Sequence, residues 1–214
     1  MESARYIAVD GPIGVGKTAL AGILAERLGA RFVREPEENP FLAGFYREPR
    51  RYAFQAQLFY LLSRYQQQGL LPQQDLFNAG GVVTDYLFQR DRVFAQLNLS
   101  PSELSLYDKV YRLLTGQAPR PDLVVYLQAR PEVLLERVRR RQAEAARALT
   151  LDYVAEVARS YADFFFHYAE SPLLVVNTSD IDFVGSAADQ DDLLAVIRRT
   201  RAGVSHYNPL GSGR

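Results

Sequence analysis

The chain has 214 residues, 48% hydrophobic and 23% charged, with basic and acidic side chains balanced at 25 each. That suffices for one α/β domain with a core of its own, and zero net charge argues against the basic excess typical of proteins that bind nucleic acid polymers. The absence of cysteine excludes a disulfide scaffold and a cysteine-ligated metal, as suits a reducing compartment.

In chain order, short β-branched runs alternate with stretches of helical periodicity. Strands are expected at 6–10 (YIAVD), 31–35 (RFVRE), 81–85 (GVVTD), 122–127 (DLVVYL) and 173–177 (LLVVN). Helices are expected at 17–28, 50–69, 86–96, 101–115, 131–147 and 151–168. This order predicts an α/β fold with a five-stranded parallel sheet flanked by helices. Neither an internal repeat nor a long linker interrupts 1–214, so a single domain is expected, with a frayed tail over about 204–214. The N-terminal MESARYIAVDG lacks a basic segment leading into a long apolar one, and no apolar run approaches the roughly 20 residues that span a bilayer. The expectation is a cytoplasmic protein with no membrane partner. In such sheets ligands collect at the carboxyl ends of the strands, where Asp10, Glu35 and Asp85 fall.

Between the first strand and the first helix runs Gly11-Pro12-Ile13-Gly14-Val15-Gly16-Lys17-Thr18, a full G-x-x-x-x-G-K-[ST] motif in its required context. The glycines allow backbone N–H groups to turn around phosphate oxygens. The helix N-terminus favours negative charge. Lys17 is expected to reach the β- and γ-phosphates, and Thr18 to coordinate Mg²⁺. Lysine otherwise occurs only at Lys109, so a general surface cation in this chain is an arginine. The motif names a nucleoside triphosphate donor, ATP, and is silent on the acceptor.

The segment after the second strand, REPEENPF, indicates the acceptor. A sugar hydroxyl is neutral and gains from a carboxylate that takes its proton in the transition state; Glu35 fits that need. The alternative is a solvated acidic turn, which is the reading for Glu37 and Glu38. The next helix carries Phe54, Gln57, Leu61, Arg64 and Gln68 along one face. Gln57 and Arg64 stand two turns apart, about 10 Å. Glutamine offers a donor and an acceptor side by side, which suits a base edge. An ordinary amphipathic helix with polar residues toward water has the same pattern.

Taken together, these residues make the chain resemble the deoxynucleoside kinases, from about residue 5 to residue 183. The resemblance rests on Gly11 to Thr18, on the Glu35-Pro36 pair, on Tyr46, on Gln57 eleven residues later, and on Arg64 seven beyond that. It implies a P-loop NTPase-type three-layer fold with a helical lid over about 137–149. It further implies transfer of the ATP γ-phosphate to the 5′-hydroxyl of a deoxynucleoside, a purine being favoured. Glu35 would be the base, Tyr46 the partner of the sugar 3′-hydroxyl, and Gln57 and Arg64 the readers of the base. Asp91 stands near where some members place a further base-reading acid. Asp85 would hold the water shell of Mg²⁺ or Glu35, and Arg137 and Arg141 would meet the phosphates. A homodimer is expected, with no nucleic acid polymer as partner.

Two places depart from the family pattern. After Asp85 the family's arginine is Tyr86, with Arg90 and Arg92 the candidates to replace it. In the lid, Ala143 and Ala146 stand where an arginine and a glutamate are usual, and Glu144 is out of register. Two rival functions stand beside this one: a nucleoside monophosphate kinase on the same fold, which would not need Glu35, and a nucleotide-binding protein that has lost catalysis. His167 is expected to pack or to end a helix.

Overall fold

The computed structural model describes residues 6–36, 38–75, 81–116, 118–140, 149–181 and 183–208, with only the backbone of 70–75. Six parallel strands form one sheet in the order β2-β3-β1-β4-β5-β6. They are β1 (Tyr6–Asp10), β2 (Arg31–Val33), β3 (Val82–Thr84), β4 (Leu123–Gln128), β5 (Leu173–Asn177) and β6 (Val204–Tyr207). Eight helices are found among the described residues: α1 (Lys17–Leu28), α2 (Leu42–Arg47), α3 (Pro49–Asp75), α4 (Asp91–Asn98), α5 (Pro101–Thr115), α6 (Pro131–Arg140), α7 (Leu151–Phe166) and α8 (Ala187–Arg199). A short 3-10 turn, Phe88–Arg90, leads into α4.

The central strands are apolar without alternation because helices cover both faces. Every residue of β1 is buried, as are the first five of β4. One face packs Leu20 and Leu24 of α1, Leu134 and Val138 of α6 and Leu193 and Ile197 of α8 against the sheet. The other receives Val93 of α4 and Val157, Tyr161 and Phe165 of α7. A third cluster lies among the helices themselves, joining Phe45 of α2, Ala53, Ala56 and Leu61 of α3, and Tyr107 of α5. It has no strand in it, and it builds the wall opposite the phosphate loop.

Helix ends follow local chemistry. Helix α1 closes at Gly29, φ 62°, whose N–H donates to the Glu26 carbonyl while the Ala30 N–H reaches Ala25, the bonding pattern of a Schellman cap. A Ser100–Glu103 capping box with Pro101 starts α5. Thr150 and Ser186 cap α7 and α8 by accepting from Tyr153 N–H and Asp189 N–H.

The sheet has six strands where five are expected. Val204–Tyr207, assigned by composition to a frayed tail, adds to the outer edge of β5 in parallel register. Its side chains alternate between exposed and half-buried, so it lacks the apolar run that marks the interior strands. Helices α2 and α8 are also additional, and β2 stops at Val33, two residues before Glu35. Of the expected helix 131–147, residues 131–140 are helical and 141–147 lie outside the described residues.

In register, Ala8 of β1 and Val33 of β2 both align with Thr84 of β3. Asp10, Glu35 and Asp85 lie one or two residues beyond that row.

Candidate active site

Gly14 and Gly16 show why the phosphate loop needs glycine. Both have positive φ, 81° and 104°. A Cβ on Gly14 would sit 2.6 Å from the Leu134 carbonyl oxygen, and one on Gly16 would sit 2.7 Å from the Phe183 ring. Val15 turns its side chain into the core. Lys17 Nζ donates to the carbonyls of Gly11 (2.8 Å) and Pro12 (3.2 Å). Burial, reinforced by the nearby Arg90 cation, brings its ammonium down to about 8.

The three carboxylates at the strand ends take different partners. Asp10, with no exposed surface, accepts at Oδ1 from the Gly11 N–H (2.6 Å) and the Tyr161 hydroxyl (3.4 Å). Its Oδ2 accepts from the Leu87 N–H and from Arg90 Nε, both at 2.8 Å. Asp85 Oδ2 accepts from the Thr18 hydroxyl at 2.7 Å and its Oδ1 from the Glu35 N–H at 2.5 Å. Burial raises the Asp85 carboxyl, opposed by the Thr18 hydrogen bond and the Lys17 charge. Glu35 receives two guanidiniums on one oxygen, Oε1: that of Arg64, and that of Arg90 at 3.1 Å.

Arg64 also pairs with Asp91, both almost wholly buried. Burial raises the Asp91 carboxyl and lowers the Arg64 guanidinium. Asp91 Oδ2 and Arg64 Nε are buried without a hydrogen-bond partner.

These groups converge on a cavity of about 330 Å³, lined by Lys17, Thr18, Glu35, Tyr46, Gln57 and Arg64 together with Ile13, Asp85, Arg90 and aromatic and apolar neighbours. That is a small-molecule volume. The phosphate-loop side chains and the residues expected to hold the acceptor thus share one enclosure. Asp91 lies behind Arg64 and does not reach the cavity wall. Phe45, Tyr60, Phe94 and Tyr153 also line it; sequence spacing does not mark them, because each comes from a different helix. Burial raises the phenols of Tyr46 and Tyr60, the latter to about 12.

Of the two candidates to replace the missing arginine, only Arg90 points inward. Arg92 makes a two-pronged pair with Asp108 at the surface, 2.8 and 3.0 Å. Tyr86 is fully buried, and its hydroxyl lies 3.4 Å from Gln68 Nε2. Arg137 donates to the Thr178 hydroxyl and carbonyl at 3.1 and 2.7 Å, which places it at the end of β5. Arg141, Ala143, Glu144 and Ala146 lie outside the described residues. His167 ends α7, its Nδ1 2.9 Å from the Asp163 carbonyl, as a helix-end histidine should. No helix among the described residues is long and apolar enough to cross a membrane.

Comparison with known proteins gives a consistent result. The family model for deoxynucleoside kinase matches residues 7–200. A deoxyguanosine kinase from Bacillus subtilis is 32% identical over 203 residues, spanning 92% of this chain and 98% of that protein. A deoxyadenosine kinase from Dictyostelium discoideum is 34% identical over 182 residues, spanning 82% and 73%. The structure of a deoxyadenosine kinase from M. mycoides with bound dATP superposes with a TM-score of 0.74 at 22% identity, covering 90% of this chain and 97% of the other. At that identity the likeness speaks for the fold.

Proposed function

The chain belongs to the deoxynucleoside kinase family, and on that premise we propose that it transfers the γ-phosphate of ATP to the 5′-hydroxyl of a deoxynucleoside, a purine being favoured. One observation carries the reading: Lys17 and Thr18 line the same 330 Å³ cavity as Glu35, Tyr46, Gln57 and Arg64. The donor is held by Gly11 to Thr18. The deoxynucleoside lies in the cavity with its base toward Gln57 and Arg64 and its 3′-hydroxyl toward Tyr46. Glu35 accepts the 5′-hydroxyl proton as the oxygen attacks phosphorus. Lys17 balances the charge that builds on the transferring phosphoryl group.

Thr18 and Asp85 offer Mg²⁺ the hard oxygen donors it prefers, a hydroxyl and a carboxylate 2.7 Å apart. Held there, the ion would supply charge neutralisation on the phosphates. The purine preference is supported by the relatives named above, a deoxyguanosine and a deoxyadenosine kinase. Arg137 and Arg141 belong to the lid, about 137–149, of a single domain. Leu62, in the apolar LFYLLSRY stretch of α3, is exposed, and this helix is the proposed contact between two copies in a cytoplasmic homodimer.

A panel of the four deoxynucleosides and their monophosphates with γ-labelled ATP tests the reading. Phosphorylation of deoxyguanosine or deoxyadenosine is expected. Exclusive use of thymidine would remove the purine preference, and exclusive use of monophosphates would favour the rival kinase.

The lowered Lys17 ammonium gives a second check. With its ammonium brought down to about 8, Lys17 is partly neutral in the free protein at mildly alkaline pH. Phosphate oxygens favour its charged form, so ATP binding at pH 8 takes up a fraction of a proton there. Calorimetry in two buffers of different ionisation enthalpy measures this directly. Uptake should shrink toward zero at about pH 6.5, where Lys17 is already charged, and an uptake independent of pH would rule out Lys17 as its source.

A further inference from the structure

We propose that Tyr86 is a positioning residue for the base pocket: its ring, anchored from the sheet, fixes the guanidinium of Arg64. The inference rests on the reading of Arg64 as a reader of the base. Its own support is geometric. Arg64 is a buried fork served at its edges by two carboxylates, Asp91 on Nη1 and Glu35 on Nη2. Such hydrogen bonds run in the plane of the guanidinium and leave its faces to other partners. Here those partners are rings: the guanidinium carbon lies 4.9 Å from the ring centre of Tyr60 and 5.7 Å from that of Tyr86. Both fall within the range at which a cation is drawn to an aromatic face.

The two rings differ in what they are tied to. Tyr60 sits one turn before Arg64 on α3, so it moves with the helix that carries the cation, and it lines the cavity. Tyr86 follows β3 and has no exposed surface. The Thr84 hydroxyl donates to its carbonyl at 2.7 Å. Gln68 Nε2 donates to its hydroxyl at 3.4 Å and to that of Tyr6, on β1, at 3.2 Å. Gln68 stands one turn beyond Arg64, on the same side of α3. The Tyr86 side chain is therefore gripped twice by α3, its hydroxyl by Gln68 and its ring by Arg64, while its backbone continues the sheet. Of the two rings, it is Tyr86 that refers Arg64 to the frame carrying the phosphate loop.

Tyr86 does not line the cavity, so a nucleoside meets it only through Arg64. That separates its role from those of Tyr60 and Gln57, which a substrate can touch. The departure after Asp85 thereby acquires a use: an aromatic face attracts the buried Arg64 cation, where an arginine would place a like charge beside it.

The test uses Tyr86→Phe, Tyr86→Met and Arg64→Lys in the full chain. Tyr86→Phe keeps the ring and is expected to keep KM for ATP and deoxynucleoside within about threefold. Tyr86→Met fills much of the same space without a ring. It is expected to raise KM for the deoxynucleoside at least about tenfold, to leave KM for ATP within about threefold, and to narrow the spread of kcat/KM among the four deoxynucleosides. On an Arg64→Lys background, Tyr86→Met should change that KM by less than about twofold, because a lysine on its flexible stem lays no fork on the ring. Ring fluorines added to Tyr86→Phe, from one to three, weaken the aromatic face with little change of shape. KM for the deoxynucleoside should climb with each, and this series decides the matter if Tyr86→Met does not fold. A flat series would overturn the proposal. So would wild-type KM and base preference in Tyr86→Met, a rise shared equally by ATP, or the same rise on the Arg64→Lys background. If Arg64→Lys itself leaves deoxynucleoside KM and base preference unchanged, the reading of Arg64 fails and the inference with it. If Arg64→Lys changes them and Tyr86→Met does not, this inference alone fails.

Discussion

Glu35→Gln is expected to lower kcat at least about 10²-fold while leaving KM for ATP within a few-fold. The amide keeps the size and most of the contacts of the carboxylate, but it cannot accept a proton from the attacking hydroxyl. The nearest other carboxylates are already engaged. Asp85 is bonded to the Thr18 hydroxyl and to the Glu35 N–H, and Asp10 is fully buried with donors on both oxygens. Neither stands ready to substitute. The variant also loses one charge from between Arg64 and Arg90, so thermal unfolding is followed in parallel. A lower kcat with an unchanged melting temperature assigns the loss to chemistry. If kcat stays within about threefold of wild type, Glu35 is not the base, and a monophosphate acceptor becomes the better reading.

Arg64→Met should have the second largest effect, on stability as much as on rate. Arg64 is buried between Glu35 and Asp91. Removing one partner of a buried pair costs about 3–5 kcal/mol, because the other charge is left uncompensated. For a chain of this length that lowers the melting temperature by about 6–20 °C. The dependence on pH has a definite sign. Burial already raises the Asp91 carboxyl, and loss of Arg64 removes its main opposing charge. An acid whose folded pKa lies above its unfolded value contributes stability below the unfolded pKa and loses it as pH rises through the folded one. The variant should therefore be less impaired in acid and increasingly impaired as pH rises. Adding Asp91→Leu to Arg64→Met should recover much of the stability and none of the activity. If the single variant melts like wild type at every pH, the pair is not buried as described.

The parts of the fold legible in the sequence are those that local chemistry writes. The phosphate loop, β1, α1 and α5 lie where their residues place them, because glycines, caps and unbroken apolar runs act over a few positions. Tyr46, Gln57 and Arg64 are legible through the family resemblance, since helical spacing alone fits an ordinary amphipathic face as well, and the cavity gathers all three. The Asp10–Arg90 pair is not. Its members are 80 residues apart, and the pairing depends on how β3 lies beside β1. Spacing alone leaves Arg90 as one of two candidates; the surface pairing of Arg92 with Asp108 separates them. Strand β6 escapes because an edge strand takes its identity from the hydrogen bonds of its neighbour, and VSHY alone carries little apolar signal. Helix α8 does carry apolar spacing, at Leu193, Leu194, Val196 and Ile197, within a stretch that opens with Asp189, Asp191 and Asp192.

The row formed by Val33, Thr84 and Ala8 acts as a ruler. Glu35, Asp85 and Asp10 are its graduations, each a residue or two beyond the mark. The gap between Glu35 and the phosphate loop is therefore counted in interstrand steps of about 4.8 Å. Lengthening the stretch between Glu35 and α2, or the connection from α4 to α5, leaves that count unchanged. Slipping β3 by a single residue does not: it would turn Asp85 to the other face of the sheet and uncouple Thr18 from the Glu35 backbone in one move.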